Sequence, residues 1–165
     1  MPASTYEIIS ASWLQYDDFK RDIKKVCIDS NLKCEETFKE NLLIRDKNDE
    51  TRTLNLEFRD QKQIEWYIKK YPMAKDEPIE RIPYYKYLTE YPDKQFYSIA
   101  LANQYLDYEI LFKVTKFYLQ LNPKQLISIN GKKCISLKQF ETIEIYSTNW
   151  WTKMKNYYTV SNYNV

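Results

Sequence analysis

The apolar positions of this chain fall into two periods, and the switches between them mark out its elements. Over residues 17–28, Phe19, Ile23, Val26 and Cys27 recur at i, i+4, i+7 and i+8, with Asp17 and Asp18 at the start and Lys24 and Lys25 nearer the end. That spacing predicts an amphipathic helix whose end charges complement its macrodipole. The residues from Tyr6 to Ile9 ahead of it form an apolar entry segment. Residues 41–45 and 53–59 then flank the polar run Asp46-Lys47-Asn48-Asp49-Glu50, and Leu54, Leu56 and Phe58 alternate strictly, which predicts a β-hairpin with a longer turn. Asp60 is placed to cap a helix reaching about Lys70. Gln63 stands in its third position and Ile64, Tyr67 and Ile68 share a face, until Tyr71-Pro72 ends it.

The periodicity then lapses. Four of the six prolines and four tyrosines lie between Pro72 and Pro92, so residues 73–94 read as an irregular Pro/Tyr-rich surface excursion. Pattern returns with a strand at 96–101. A strong helix follows at 107–121, whose Ile110, Leu111, Val114, Phe117, Tyr118 and Leu121 form one broad stripe, closed by Asn122-Pro123. Leu126, Ile127 and Ile129 start another strand, Asn130-Gly131 is a two-residue hairpin turn, and Cys134-Ile135 leads back. Ser136 with Gln139 makes a capping box for a helix over about 137–143. If strands 96–101 and 125–130 share a sheet, the intervening helix predicts a parallel pair with a right-handed crossover. The expectation is a single α+β domain over 1–165, with a mixed or mainly antiparallel sheet and helices packed on one face.

Composition narrows the chemistry. There is no histidine among the 165 residues and a single glycine, Gly131. That excludes Ser-His-Asp and Cys-His relays, His-containing zinc sites, Walker loops and dinucleotide fingerprints. Apolar residues at 44% and nearly balanced charges giving +2 describe a chain able to bury a core. Residues 1–10 carry no basic n-region and no stretch approaches a membrane span, so a cytoplasmic protein is expected, with no membrane association. Cys27, Cys34 and Cys134 are odd in number and lack a Cys-x-x-Cys pair. Buried free thiols are expected, with no disulfide framework, metal or cofactor.

Carboxylates remain as possible catalysts. Asp17 with Asp18, Glu35 with Glu36, Asp46 with Asp49 and Glu50, and Asp76 with Glu77 all lie beside helix starts, turns or prolines, where acidic residues are favoured for local reasons. Glu57-Phe58-Arg59 after Asp46 is the nearest approach to a metal-dependent nuclease, and it lacks the lysine such a site wants in the last place.

The aromatic residues point instead to binding. Sixteen tyrosines accompany twenty lysines against five arginines, the bias of an AT-rich genome, so clusters matter more than the total. Tyr84, Tyr85 and Tyr87 in the excursion, and Trp150, Trp151 and Tyr157 near the end, are of the types that anchor protein interfaces. The competing expectation for the tryptophans is that a terminal helix docks them into the core. From Pro123 onward six lysines face two glutamates, so Lys132, Lys133, Lys153 and Lys155 with the same aromatics form an alternative, nucleic-acid-binding surface.

Residues 96–141 give a strand, Tyr105-Leu106-Asp107-Tyr108-Glu109-Ile110, the helix ending Leu121-Asn122-Pro123, the Asn130-Gly131 hairpin and Ser136-Leu137-Lys138-Gln139-Phe140. This run resembles small bacterial α+β immunity proteins of toxin systems. The resemblance spans about a quarter of the chain and assigns no functional residue. It implies a cytoplasmic protein that neutralises a cognate toxin by occluding its active or substrate site, and a phage-encoded inhibitor of a defence effector would work alike.

Overall fold

The computed structural model describes residues 5–38, 40–70, 84–85, 96–103, 106–129, 133–142 and 150. Chain order is β1 (Thr5–Ser10), α1 (Tyr16–Asp29), β2 (Leu32–Glu36), β3 (Asn41–Asp46), β4 (Thr53–Phe58), α2 (Gln61–Lys70), β5 (Tyr84–Tyr85), β6 (Phe96–Asn103), α3 (Tyr108–Leu121), β7 (Leu126–Ile129), β8 (Lys133–Ile135) and α4 (Leu137–Phe140). The fold is α+β. The strands form one sheet in the order β2-β3-β4-β6-β1-β7-β8, with β5 added against β6, and every described pair is antiparallel.

The parallel pair expected for 96–101 and 125–130 does not form. β1 inserts between β6 and β7, pairing Ile8 with Ala100 on one side and Ile127 on the other. The two strands still run in the same direction, but each finds its antiparallel hydrogen-bond partner in β1. A second departure is in the last hairpin, where the pair Ile129–Lys133 leaves three residues between the strands instead of the expected two. The helix expected over 137–143 is a single turn, α4, sealed by the Ser136–Gln139 capping box in both directions. β2 was not anticipated at all.

The core follows from alternation. Tyr6 and Ile8 of β1, Leu42 and Ile44 of β3, Leu54, Leu56 and Phe58 of β4, and Ala100 and Ala102 of β6 are all buried. Against them pack Phe19, Ile23, Val26 and Cys27 of α1 and Ile110, Leu111, Val114 and Tyr118 of α3. Each such side chain removed from water contributes about 1.5–3 kcal/mol. Phe19 binds the two layers together, with its ring 5.1 Å from Phe58 and 5.9 Å from Tyr118.

Two polar devices lock α3 to the sheet. The Tyr6 hydroxyl meets Thr115 Oγ1 of α3 at 2.8 Å inside the core. At the start of α3, Asp107 accepts the backbone N–H groups of Glu109 and Ile110 as N-cap. Arg52, from the β3–β4 turn, donates to both Asp107 oxygens at 2.8 Å and to Glu109 at 2.7 Å. Burial alone would raise the Asp107 carboxyl, but Arg52 and the two N–H groups outweigh it and hold the group below its ordinary value.

Tyr6→Phe is expected to cost about 1 kcal/mol, and a double-mutant cycle with Thr115→Val, read by urea denaturation, should show a coupling of about 0.5 kcal/mol or more. The Asp107 contribution is present above the unfolded carboxylate value of about 3.9 and is lost as pH falls through the lower folded value. Asp107→Asn should therefore cost about 1 kcal/mol at pH 7, and the gap from the wild type should close in denaturation series run below about pH 4.

Candidate protein-binding surface

The described residues between β2 and β3 are tied to the strand ends by hydrogen bonds. Thr37 donates its backbone N–H to the Asn41 carbonyl at 2.8 Å, and the Asn41 side-chain amide donates to the Phe38 carbonyl at 2.8 Å. Glu40 takes a positive φ of 60° there, and its carbonyl accepts the Phe58 N–H at 3.2 Å. A residue with a Cβ is strained in that region, where glycine would sit freely. The outcome of this geometry is the display of Phe38, 76% exposed, at the tip of the turn.

Carboxylates flank Phe38 in the chain, at Glu36 and Glu40. Glu36, at the end of β2, accepts the Lys20 ammonium at 2.8 Å and the Tyr16 hydroxyl at 3.0 Å, and these two bonds hold its carboxyl below the ordinary value. Glu40 has no such relief. Partial burial first, then the charges of Asp60, Asp17 and Glu36, push its carboxyl up. Asp60 belongs here because it caps α2, accepting the Gln63 N–H at 2.8 Å. On that helix Trp66 is 58% exposed, with the Lys70 ammonium 4.6 Å from its ring centre. Acidic side chains from α1, β2 and the α2 cap thus act on Glu40, two residues from the exposed Phe38.

The anchors expected from composition fare unevenly. Trp150 is buried at 1% exposure, donates its indole N–H to the Tyr108 carbonyl at 2.7 Å, and sits edge-on to Phe112 and Phe140. It serves the core, not a surface. Tyr84 and Tyr85 form the backbone of β5, paired with Tyr97 and Phe96. Lys133 lies in β8. Tyr87, Trp151, Tyr157, Lys132, Lys153 and Lys155 lie outside the described residues.

The carboxylates weighed as a nuclease centre are separated. Glu57 pairs with Asn41 at one end of the β3–β4 hairpin, and Asp46 stands at the other end, accepting the N–H groups of Asn48 and Asp49 in its own turn. Arg59 turns away to the buried Glu7 at 3.5 Å and to Ser98 Oγ at 2.8 Å. Among the described residues no group of three or more Cys, Asp and Glu side chains could hold a metal ion.

A cleft of about 500 Å³ opens where α3 ends, lined by Ser10, Ser12, Phe96, Leu121, Asn122 and Gln125 among others. Several of its polar groups serve the fold. Gln125 accepts the Tyr118 hydroxyl at 2.7 Å, Asn122 donates to Asp22, and Ser10 Oγ accepts the Ser12 N–H. Among the described residues no helix is long and apolar enough to cross a membrane.

Phe38 and Glu40 carried a signal in the sequence after all, since Phe38 is a lone aromatic in a charged run and belongs to neither period. Comparison of the chain with protein-family models, curated proteins and solved structures finds no match.

Proposed function

We propose that this chain is a non-enzymatic protein-binding inhibitor, most concretely an immunity protein that neutralises a cognate bacterial toxin by occlusion. One observation carries the reading: an exposed Phe38 between Glu36 and Glu40, with Asp17 and Asp60 near enough to act on the Glu40 charge. An aromatic anchor on a preformed loop binds at low entropic cost, and a charged rim selects and steers the partner. Partial burial first, and then the neighbouring carboxylates, push the Glu40 carboxyl up, and a cationic partner surface offsets the part that comes from those like charges. The face being covered is accordingly basic, as the substrate-binding face of an enzyme acting on an anionic polymer must be. The same occlusion would serve a phage-encoded inhibitor of a defence effector.

The first test is capture from the source cell with the tagged full chain, followed by mass spectrometry. A stoichiometric basic protein should be recovered, its yield falling with salt and dropping at least tenfold for Phe38→Asp. Recovery of no stoichiometric protein, or equal recovery by the variant, overturns the proposal.

The second test uses the sign of the Glu40 shift. A carboxyl raised by the fold stabilises below its unfolded value and loses that contribution as pH rises through the folded one, so the charged form is a burden at pH 7. Glu40→Gln should raise Tm by about 2 °C at pH 7, a gain that vanishes near pH 4, while weakening capture of the partner. Circular-dichroism melts at the two pH values check the first part.

A further inference from the structure

α1 and β2 form a helix–strand hairpin closed by Ser30 and Asn31. Ser30 donates both its N–H and its hydroxyl to the Val26 carbonyl, and Asn31 takes a φ of 58°, which asparagine tolerates. The face that β2 turns to the helix is set by its contacts. Leu32 is buried in the core, and Glu36 meets Tyr16 and Lys20 of α1. Alternation puts Cys34 between them on that same face, paired across the ladder with the buried Ile44. From the helix side, Cys27 belongs to the buried stripe with Phe19, Ile23 and Val26.

The two side chains therefore face each other where the helix packs on the strand, and each acts on the other's titration as a hydrogen-bonding neighbour. They are not equivalent. Cys27 is 2% exposed, whereas Cys34 is half-buried at the margin of the core. The bond from Cys27 draws the Cys34 thiol down, aided by Lys24 and opposed by burial and by Glu35 and Glu36. The Cys34 bond and burial push Cys27 up, with Lys47 acting weakly against them. Cys34 is therefore the reachable nucleophile, and Cys27 is the buried thiol that faces it from the helix. Cys134, on β8, lies at the opposite edge of the sheet.

We propose that Cys34 and Cys27 are an oxidation site, a dithiol that a small peroxide converts into an internal disulfide joining the last turn of α1 to β2. The Cys34 thiolate attacks one oxygen of hydrogen peroxide, the O–O bond breaks, and sulfenic acid and hydroxide result. The Cys27 sulfur then attacks the Cys34 sulfur, its proton leaves with the hydroxyl as water, and the S–S bond forms. The two thiols lose two electrons in all and the peroxide gains them. Closing so short a loop restrains the unfolded chain, and the disulfide also fixes the strand that leads into the Phe38 turn.

Treating the purified full chain with hydrogen peroxide, then denaturing and labelling it with a maleimide, tests the site. Labels per chain should fall from three to one, with a mass loss of about 2 Da and a linked peptide joining Cys27 to Cys34, all reversed by dithiothreitol. Cys134→Ser should give the same linked peptide, and Tm of the oxidised protein should rise by about 5 °C. Cys27→Ser should leave Cys34 as a sulfenic acid trapped by dimedone. Three labelled thiols, a disulfide between chains, or Cys34 overoxidised while Cys27 stays reduced would each overturn the proposal. None of these readouts involves a partner, so failure here and failure of the inhibitor reading are separate events.

Discussion

Everything in this fold is arranged around the hydrogen-bond ladders on the two sides of β1. The first described strand takes an interior place in the sheet, with β6 on one side and β7 on the other, so its partners lie about a hundred residues away along the chain. Such long-range pairing forms slowly, because loop entropy must be overcome before the contacts are gained. Once formed, it dictates the rest. Tyr6 and Ile8 face α1 and α3, whereas Glu7 and Ile9 face the other way, and both sets are buried. A glutamate is tolerable there because Ser98 donates to its carboxylate and Arg59 stands beside it.

That double burial explains what could be read from the sequence and what could not. α1, α3, the β3–β4 hairpin and the caps at Asp60 and Ser136 each rest on local patterns, so they were legible. A strand buried on both faces loses its alternation, and Tyr6 to Ile9 therefore showed only as an apolar entry. The expectation of a parallel β6–β7 pair failed for the same reason, since it left out the strand that separates them. β2 was missed for the opposite reason. As an edge strand it has one apolar row, Leu32 and Cys34, and the remainder is charged.

The candidate surface was less legible than the fold, because composition drew attention to the abundant aromatics and not to the isolated one. Trp150 shows how the inference goes astray. Its indole N–H finds a backbone carbonyl and its rings find Phe112 and Phe140, so a residue typical of interfaces is spent on the core. Phe38 is exposed because the hydrogen bonds of its turn and the φ of Glu40 hold it there. The acidic character beside it is a tertiary fact, since only folding brings Asp17 and Asp60 close enough to act on Glu40.

Three environments therefore meet on the five residues of β2. Its outer row, Lys33 and Glu35, is paired with Glu50 and Arg45, and these exposed ion pairs do less for stability than for keeping the sheet edge from recruiting another strand. Its inner row runs from the core residue Leu32 through the thiol of Cys34 to Glu36 at the acidic surface. Chemistry can collect on such a strand because little of the core rests on it. The Tyr6–Thr115 bond, the Arg52 clamp and the aromatic cluster around Phe19 hold the centre together without β2.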